Sequence, residues 1–248
     1  MDKTLLITGA SRGIGAATAL LAARGGYAVA VNYASNSLAA DEVVRQIRQG
    51  GGQAMAVRAD VAVEAEVLEM FAKVDARFGP LSALVNNAGV VDRTTRVEAI
   101  DLARLRRIFE INVFGAFLCA REAVRRMSTR HGGAGGAIVN VSSIAARLGA
   151  PGQYVDYAAA KGAIDTFTVG LAKEVADEGI RVNAVRPGLI ETEIHASGGL
   201  PNRAWDLAPQ VPMQRPGSAE EVAEAIVWLL GAGASYATGA LLDVTGGR

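Results

Sequence analysis

A doubly wound α/β fold, a parallel sheet of about seven strands with helices on both faces, is predicted for this 248-residue chain by three observations. Short β-rich runs alternate with segments of helical periodicity along the whole chain. Several runs are apolar throughout instead of alternating with polar residues, as strands buried on both faces are. A glycine-rich turn joins the first run to the first helix.

The strands are predicted at Leu5 to Thr8, Ala28 to Asn32, Ala54 to Arg58, Ala83 to Asn86, Ala137 to Ser142, Arg181 to Val185 and Leu241 to Val244. Ala28-Val29-Ala30-Val31 and Ala137-Ile138-Val139 have no polar face, which puts them inside the sheet. Between strands, an alanine-rich helix covers Ala16 to Arg24. Val67, Met70, Phe71, Val74 and Phe78 follow helical spacing, as do Val222, Ile226, Leu229 and Leu230. Gly132 to Gly136 fits a helix-to-strand loop. The segment 188–218 holds four prolines, Gly198-Gly199, His195 and Trp205, and is too long for an ordinary connection, so it is predicted to be a mobile substrate lid. No repeat or linker divides the chain, and residues 1–248 are expected to form one domain.

Composition excludes several function classes. Lysine plus arginine (25) balance aspartate plus glutamate (25), so no global field favours a polyanion and nucleic acid is not an expected partner. The single cysteine, Cys119, lies in the apolar run Phe117-Leu118-Cys119-Ala120 and is expected to be a buried structural thiol. The first apolar run is too short for a signal peptide's core, and no stretch reaches the about 18 apolar residues that would span a bilayer. A cytoplasmic protein with no membrane partner is expected.

The turn after the first strand, Thr8-Gly9-Ala10-Ser11-Arg12-Gly13-Ile14-Gly15, has the strand, turn and helix context of a dinucleotide-binding (Rossmann) site. Glycines let the backbone approach a pyrophosphate, and exposed amides at the helix start favour anionic charge. Sites that select NAD(H) place a carboxylate at the end of the second strand to hold the ribose hydroxyls. Here Asn32-Tyr33-Ala34-Ser35 stand there, with no carboxylate between Tyr27 and Ala40, and Arg12 is available to a 2′-phosphate. NADP(H) is therefore expected as the cofactor, with NAD(H) less favoured.

Tyr157 and Lys161 are four residues apart across three alanines, so a helix puts them on one face. A phenol with a pKa of about 10 becomes a useful base near neutral pH only beside a cation, which Lys161 can supply. Together TGASRGIG, Asn86-Asn87-Ala88-Gly89, Asn112, Val141-Ser142-Ser143, Tyr157 to Lys161 and RPGLIETE resemble, in order and over essentially the full length, a classical short-chain dehydrogenase/reductase. The segments VSSIAARLGAPGQYVDYAAAKGAID and HASGG resemble bacterial glucose 1-dehydrogenase-like oxidoreductases.

The resemblance implies hydride transfer between NADP(H) and an alcohol/carbonyl pair. Tyr157 would be general acid/base, Lys161 its electrostatic partner and ribose ligand, Ser143 the donor to the substrate oxygen, and Asn112 the anchor of a relay water. It also implies cofactor contacts from Gly9, Ser11, Arg12, Gly13, Ile14, Gly15, Asn32, Tyr33, Asp60, Val61, Asn87, Ala88, Gly89, Pro187, Gly188, Ile190 and Thr192, and a homotetramer built on the helices carrying Arg121 and Tyr157. Adjacent strand residues point to opposite faces, so only one of Ser142 and Ser143 should enter the site; the family pattern selects Ser143. It stands 14 residues before Tyr157, one more than in many relatives, with the extra residue assigned to Pro151-Gly152-Gln153-Tyr154. That places Tyr154 and Arg147, with His195 from the lid, on the substrate side.

Neither histidine has the partners that metal or hydrolase chemistry needs, so no metal is expected, and His131 is taken as solvated. Glu191 and Glu193 are also taken as solvated, and Arg121, Arg125, Arg126 and Arg130 as one solvated helix face. The substrate is expected to be a sugar or small polar ketone. A 3-oxoacyl thioester reductase, a nucleotide-sugar epimerase or dehydratase, and a non-enzymatic NADP(H)-binding redox sensor are the rival readings.

Overall fold

A computed structural model describes residues 3–248, apart from the side chains of His195 and Ser197. In chain order its regular elements are β1 (Lys3–Ile7), α1 (Gly13–Arg24), β2 (Tyr27–Tyr33), α2 (Ser37–Gln49), β3 (Ala54–Arg58), α3 (Glu64–Phe78) and β4 (Leu81–Asn86). There follow α4 (Leu102–Phe109), a π-turn (Glu110–Phe114), α5 (Gly115–Met127), β5 (Gly136–Val141), α6 (Ala145–Leu148), α7 (Val155–Glu174) and β6 (Ile180–Pro187). The chain finishes with α8 (Ile194–Ser197), α9 (Arg203–Asp206), α10 (Ala219–Leu230) and β7 (Leu241–Val244).

All seven strands are parallel, in the order β3-β2-β1-β4-β5-β6-β7, which is the doubly wound arrangement expected from the alternating pattern. Successive residues of the central strands go to opposite faces and both faces are covered, so apolar residues need no polar alternation. Leu5, Ile7, Val29, Val31, Val85 and Val139 pack with α1, α2 and α10 residues such as Ala19, Val43 and Ile226. Leu6, Ala30, Leu84, Ile138 and Val182 pack on the other face with Met70, Phe71 and Val74 of α3 and Cys119 and Ala123 of α5. The helical spacing at Val67 to Val74 and at Val222 to Leu230 thus marks faces that are buried. Cys119 is fully buried, and desolvation pushes its thiol up to about 12, so it is an inert core group.

The strand order reverses between β1 and β4, and the carboxyl ends of the strands open there into a crevice, where ligands bind in open α/β sheets. The segment 188–218 departs from the end of β6, carries only the four-residue helices α8 and α9 and the three-residue 3₁₀ turn Ala208–Gln210, and returns to α10. Its ends are stitched together: Glu191 N donates to Gly217 O at 2.9 Å and Gly217 N to Leu189 O at 2.9 Å. No helix among the described residues is long and apolar enough to cross a membrane.

Candidate active site

A cleft of about 540 Å³ runs along the carboxyl ends of β1, β2, β4 and β5. One end is floored by the turn that joins β1 to α1, where Gly9, Ser11, Arg12, Gly13 and Ile14 line the cleft. Gly9 and Gly13 both have φ in the left-handed region, at 61° and 53°, which favours glycine. Gly15 does not line the cleft, but a Cβ there would come within 2.5 Å of Asn87 Nδ2 and 2.7 Å of Gly9 O. No side chain caps α1, and its first turn has no acidic residue, so its amides are left to an anion in the cleft. These features fit a pyrophosphate.

The turn is held in place by two asparagines. Asn87 Nδ2 donates to Thr8 O (2.8 Å) and Gly9 O (2.9 Å), while the Thr8 hydroxyl accepts from the backbone N–H groups of Asn87 and Ala88, both at 3.0 Å. Asn32 Oδ1 accepts from Gly9 N at 3.1 Å, and its amide donates to Ala59 O at 3.0 Å and Val57 O at 3.3 Å. Asn32 and Asn87 were expected as cofactor contacts; both line the cleft, but their side chains are spent tying β1, β2, β3 and β4 together below it.

Beyond the glycine turn the cleft is bounded by Tyr33, Ala34, Ser35 and Asn36 on one side and by Asp60 and Val61 on the other. No carboxylate stands at the end of β2. Arg12 is exposed at the rim and is paired with no acid among the described residues. Asp60 Oδ1 accepts from Ala62 N at 3.0 Å, which fixes its turn.

At the opposite end Ser142 and Ser143 follow the last residue of β5. They turn to different partners: Ser142 Oγ donates to Lys161 O at 3.2 Å and is buried against α7, whereas Ser143 Oγ accepts from Ala145 N at 3.1 Å and hydrogen-bonds Tyr157. Tyr157 and Lys161 share one face of α7, with the ammonium 5.6 Å from the tyrosine ring centroid. Lys161 Nζ donates to Val141 O at 2.7 Å. Burial pushes the Tyr157 phenol up to about 12, with the Ser143 hydrogen bond pulling it back. Burial also pushes the Lys161 ammonium down to about 8, against the opposing charge of Asp165. The phenol is therefore held protonated beside a cation whose charge is precarious.

Asn112 sits in the π-turn between α4 and α5, buried behind the cleft. Its amide donates to Ile108 O (2.9 Å) and Val90 O (3.0 Å), and its Oδ1 accepts from Val90 N (3.2 Å). A Cβ on Gly89 would meet Asn112 Oδ1 at 2.8 Å and Lys161 Nζ at 3.5 Å, so a glycine there lets Asn112 and Lys161 approach one another. Pro187, Ile190, Thr192 and Ile194 close this end, and Gly13 lies against Thr192.

Several expected residues lie elsewhere. Gly188 does not line the cleft; its N–H donates to Val244 O at 2.9 Å, and a Cβ on it would strike Thr245. Arg147 is turned outward and pairs with Asp243 at 2.6 Å, since the short helix α6 carries it away from the cleft. Tyr154 is buried under the 188–218 segment with the Arg203 guanidinium 5.2 Å from its ring centroid. The side chain of His195 lies outside the described residues. Arg130 is not on the helix of Arg121, which ends at Met127, and the four arginines pair with Glu64, Asp75, Glu122, Asp177 and Glu178. Glu191 accepts from Trp205 Nε1 at 2.9 Å, and Glu193 lines the cleft. Arg107, which pairs with Asp92 at 2.8 Å, and Ile111 also line it. Ile111 could have been found as the neighbour of Asn112, but no motif marks Arg107.

A family model described as enoyl-(acyl carrier protein) reductase matches residues 9–248. An uncharacterized oxidoreductase of Escherichia coli (strain K12), YgfF, is 58% identical over 243 residues, covering 98% of this chain and 98% of that protein. A cis-4-hydroxycyclohexanecarboxylate dehydrogenase of Sinomonas cyclohexanicum is 42% identical over 249 residues, 99% of this chain and 96% of that one. Among solved structures, a doubly substituted short-chain dehydrogenase/reductase of Serratia marcescens superposes with a TM-score of 0.91 at 34% identity, covering 100% of this chain and 98% of that chain.

Proposed function

The chain belongs to the short-chain dehydrogenase/reductase family of oxidoreductases, and from that premise we propose that it moves a hydride between NADP(H) and a small polar alcohol/carbonyl pair, with Tyr157 transferring the proton. The observation that carries this reading is the convergence of Ser143, Tyr157 and Lys161 at one end of a cleft whose other end is a glycine-turned helix start. A bound nicotinamide supplies or accepts the hydride. The chain's part is to manage the oxygen. In reduction Ser143 Oγ and Tyr157 donate to the carbonyl oxygen, and the phenol's proton passes to the forming alkoxide while Lys161 steadies the phenolate left behind. Oxidation of an alcohol runs the same proton the other way.

The glycine turn with Ser11 and Ile14 would hold the pyrophosphate, Asp60 and Val61 would flank the adenine, Lys161 would hold the nicotinamide ribose, and Pro187, Ile190 and Thr192 would border the nicotinamide. Residues 1–248 act as one domain, with 188–218 as the substrate lid; the stacking of Arg203 on Tyr154 and the Trp205 to Glu191 hydrogen bond support a closed position of that lid.

The phosphorylated cofactor is favoured by the end of β2, where Tyr33 to Asn36 line the cleft near Arg12 without a carboxylate among them. Replacing Arg12 with methionine will weaken NADPH by about tenfold and leave NADH within about twofold, the size of one accessible charge-assisted contact. Fluorescence titration of both nucleotides checks it, and equal weakening would remove Arg12 from that role. A carbonyl and alcohol panel, read by nicotinamide absorbance and including sugars, cyclic hydroxy acids and a 3-oxoacyl thioester, tests the substrate class. Turnover of the thioester alone would favour the 3-oxoacyl reading.

A homotetramer is supported by an apolar groove on the outer faces of α5 and α7, lined by Phe117, Leu118, Val124, Phe167 and Leu171, with the Phe117 and Phe167 rings stacked 3.8 Å apart. Exposed apolar surface of this kind marks association sites. Phe117→Asp will shift the mass measured by sedimentation toward smaller species; an unchanged mass would place the contact elsewhere.

A further inference from the structure

The mechanism above asks Lys161 to be charged while buried, which costs free energy unless another charge offsets it. One helical turn beyond Lys161 on α7 lies Asp165, a buried carboxylate that the proton chemistry has not yet used. Its Oδ2 accepts from Arg186 Nε and Nη2, both at 2.9 Å. Its Oδ1 is buried and accepts no hydrogen bond among the described residues. The chain of charges continues outward: Arg186 Nη1 reaches Asp243 Oδ1 at 3.4 Å, and Asp243 Oδ2 accepts from Arg147 Nη1 at 2.6 Å. Asp165, Arg186, Asp243 and Arg147 thus form ion pairs of alternating sign out to the surface beside β7, with buried Lys161 one helical turn from the inner end.

We propose that Asp165 is a positioning residue for proton transfer, its carboxylate keeping the Lys161 ammonium charged beside Tyr157, with Arg186 and Asp243 fixing how much of that negative charge Lys161 receives. The inference rests on the assignment of Lys161 as the partner of Tyr157. Around the ammonium stand Tyr157 from α7, the Val141 carbonyl from β5 and uncharged Asn112 and Gly89, while Asp165 lies one helical turn further along α7, bonded to Arg186 from β6. Asp165 is the carboxylate whose charge opposes the effect of burial on Lys161. A buried like-faced pair at this spacing is screened far less than a surface pair, so the effect is felt as a change in protonation near neutral pH.

Arg186 has a defined part in this. It bonds one carboxylate oxygen and is itself shared with Asp243, so Asp165 is neither fully neutralised nor left as an unpaired buried acid. Loss of Asp165 removes the counter-charge directly. Loss of Asp243 leaves Arg186 less compensated and lowers the share of negative charge that Lys161 feels, in the same direction and by less.

The test is trace acetylation of the nucleotide-free full chain with acetic anhydride across about pH 6 to 11, read at Lys161 by mass spectrometry, which gives the ammonium's midpoint without turnover. The unsubstituted chain is expected to have its midpoint at about 8. Asp165→Asn will lower it by about one pH unit, a tenfold change in the fraction charged, and Asp165→Glu will restore most of the shift. The alkaline limb of the carbonyl-reduction pH profile will move with it, a displacement that damaged packing alone does not produce.

If Asp165→Asn does not fold, as judged by its melting transition, Asp243→Asn at the solvent edge of the network decides, with an expected lowering of about 0.3 pH unit. An unmoved midpoint in the folded variant overturns the proposal whatever Tyr157→Phe does. A lowered midpoint alongside a fully active Tyr157→Phe leaves the Asp165 to Lys161 coupling standing and removes the catalytic reading of Tyr157.

Discussion

Tyr157→Phe will bind nicotinamide nucleotide within about twofold of the unsubstituted chain and lose about three orders of magnitude in turnover, the span ordinarily supplied by a positioned general acid. The substitution deletes one oxygen and keeps the ring against which Lys161 lies. The glycine turn and the asparagine ties are far from it and unaffected, so binding and chemistry separate cleanly. Stopped-flow single-turnover kinetics alongside nucleotide titration distinguish the two. Ordinary turnover in the variant would assign the proton to another group, and lost binding would make the ring a structural support. Ser143→Ala leaves the phenol in place, so its deficit will be smaller, and loss of the Ser143 hydrogen bond will push the phenol's pKa further up.

Gly15→Ala will have the second large effect, this time on both stability and binding. The added methyl would lie 2.5 Å from Asn87 Nδ2, 2.7 Å from Gly9 O and 2.8 Å from Ala10 Cα, and two of those three neighbours are backbone. Relief requires Asn87 to give up its bonds to Thr8 O and Gly9 O, which hold the glycine turn against β4. Overpacking of this kind costs about 2–3 kcal/mol, which for a chain of this length lowers the melting temperature by about 4–12 °C. Because the turn itself moves, NADPH affinity will fall by about a hundredfold or more, as backbone amides aimed at a pyrophosphate lose their alignment. A melting curve and a nucleotide titration test this together. A normal melt with normal affinity would mean that the turn has room the distances deny.

Much of this architecture is legible along the chain because its signals are local or periodic. Apolar runs such as Ala137-Ile138-Val139 announce strands covered on both sides, and the four-residue spacing of Tyr157 and Lys161 is enough to put them on one helical face. Ser142 and Ser143, just past the end of β5, are turned to different partners, as the alternation expected of neighbouring extended residues predicts. What stays illegible depends on partners far apart in sequence. Asn32 and Asn87 stand where cofactor contacts are expected, yet each is drawn to carbonyls that only the folded sheet brings near. Arg147 follows Ser143 by four residues, but a single turn of helix and the pull of Asp243 take it outward. The pairing of Asp165 with Arg186 spans 21 residues and two layers of the fold, and no spacing rule reaches that far.

The π-turn at Glu110–Phe114 has a consequence for how this length of chain can vary. Each residue of an α-helix advances the side-chain direction by about 100°, and a wider turn interrupts that count once. Ile108 before it faces Ala160 of α7, while Cys119, Ala123 and Met127 after it face the sheet. The two helices therefore work as gears cut at different phases and keyed at Asn112, whose amide fills the gap in the ladder by taking Ile108 O. Deleting one residue here would restore a continuous thread and turn one gear against its rack. Insertions and losses in homologous chains should accordingly be rare between 108 and 115 and collect in connections such as 128–135 and 188–218, which carry no sheet or long-helix phase.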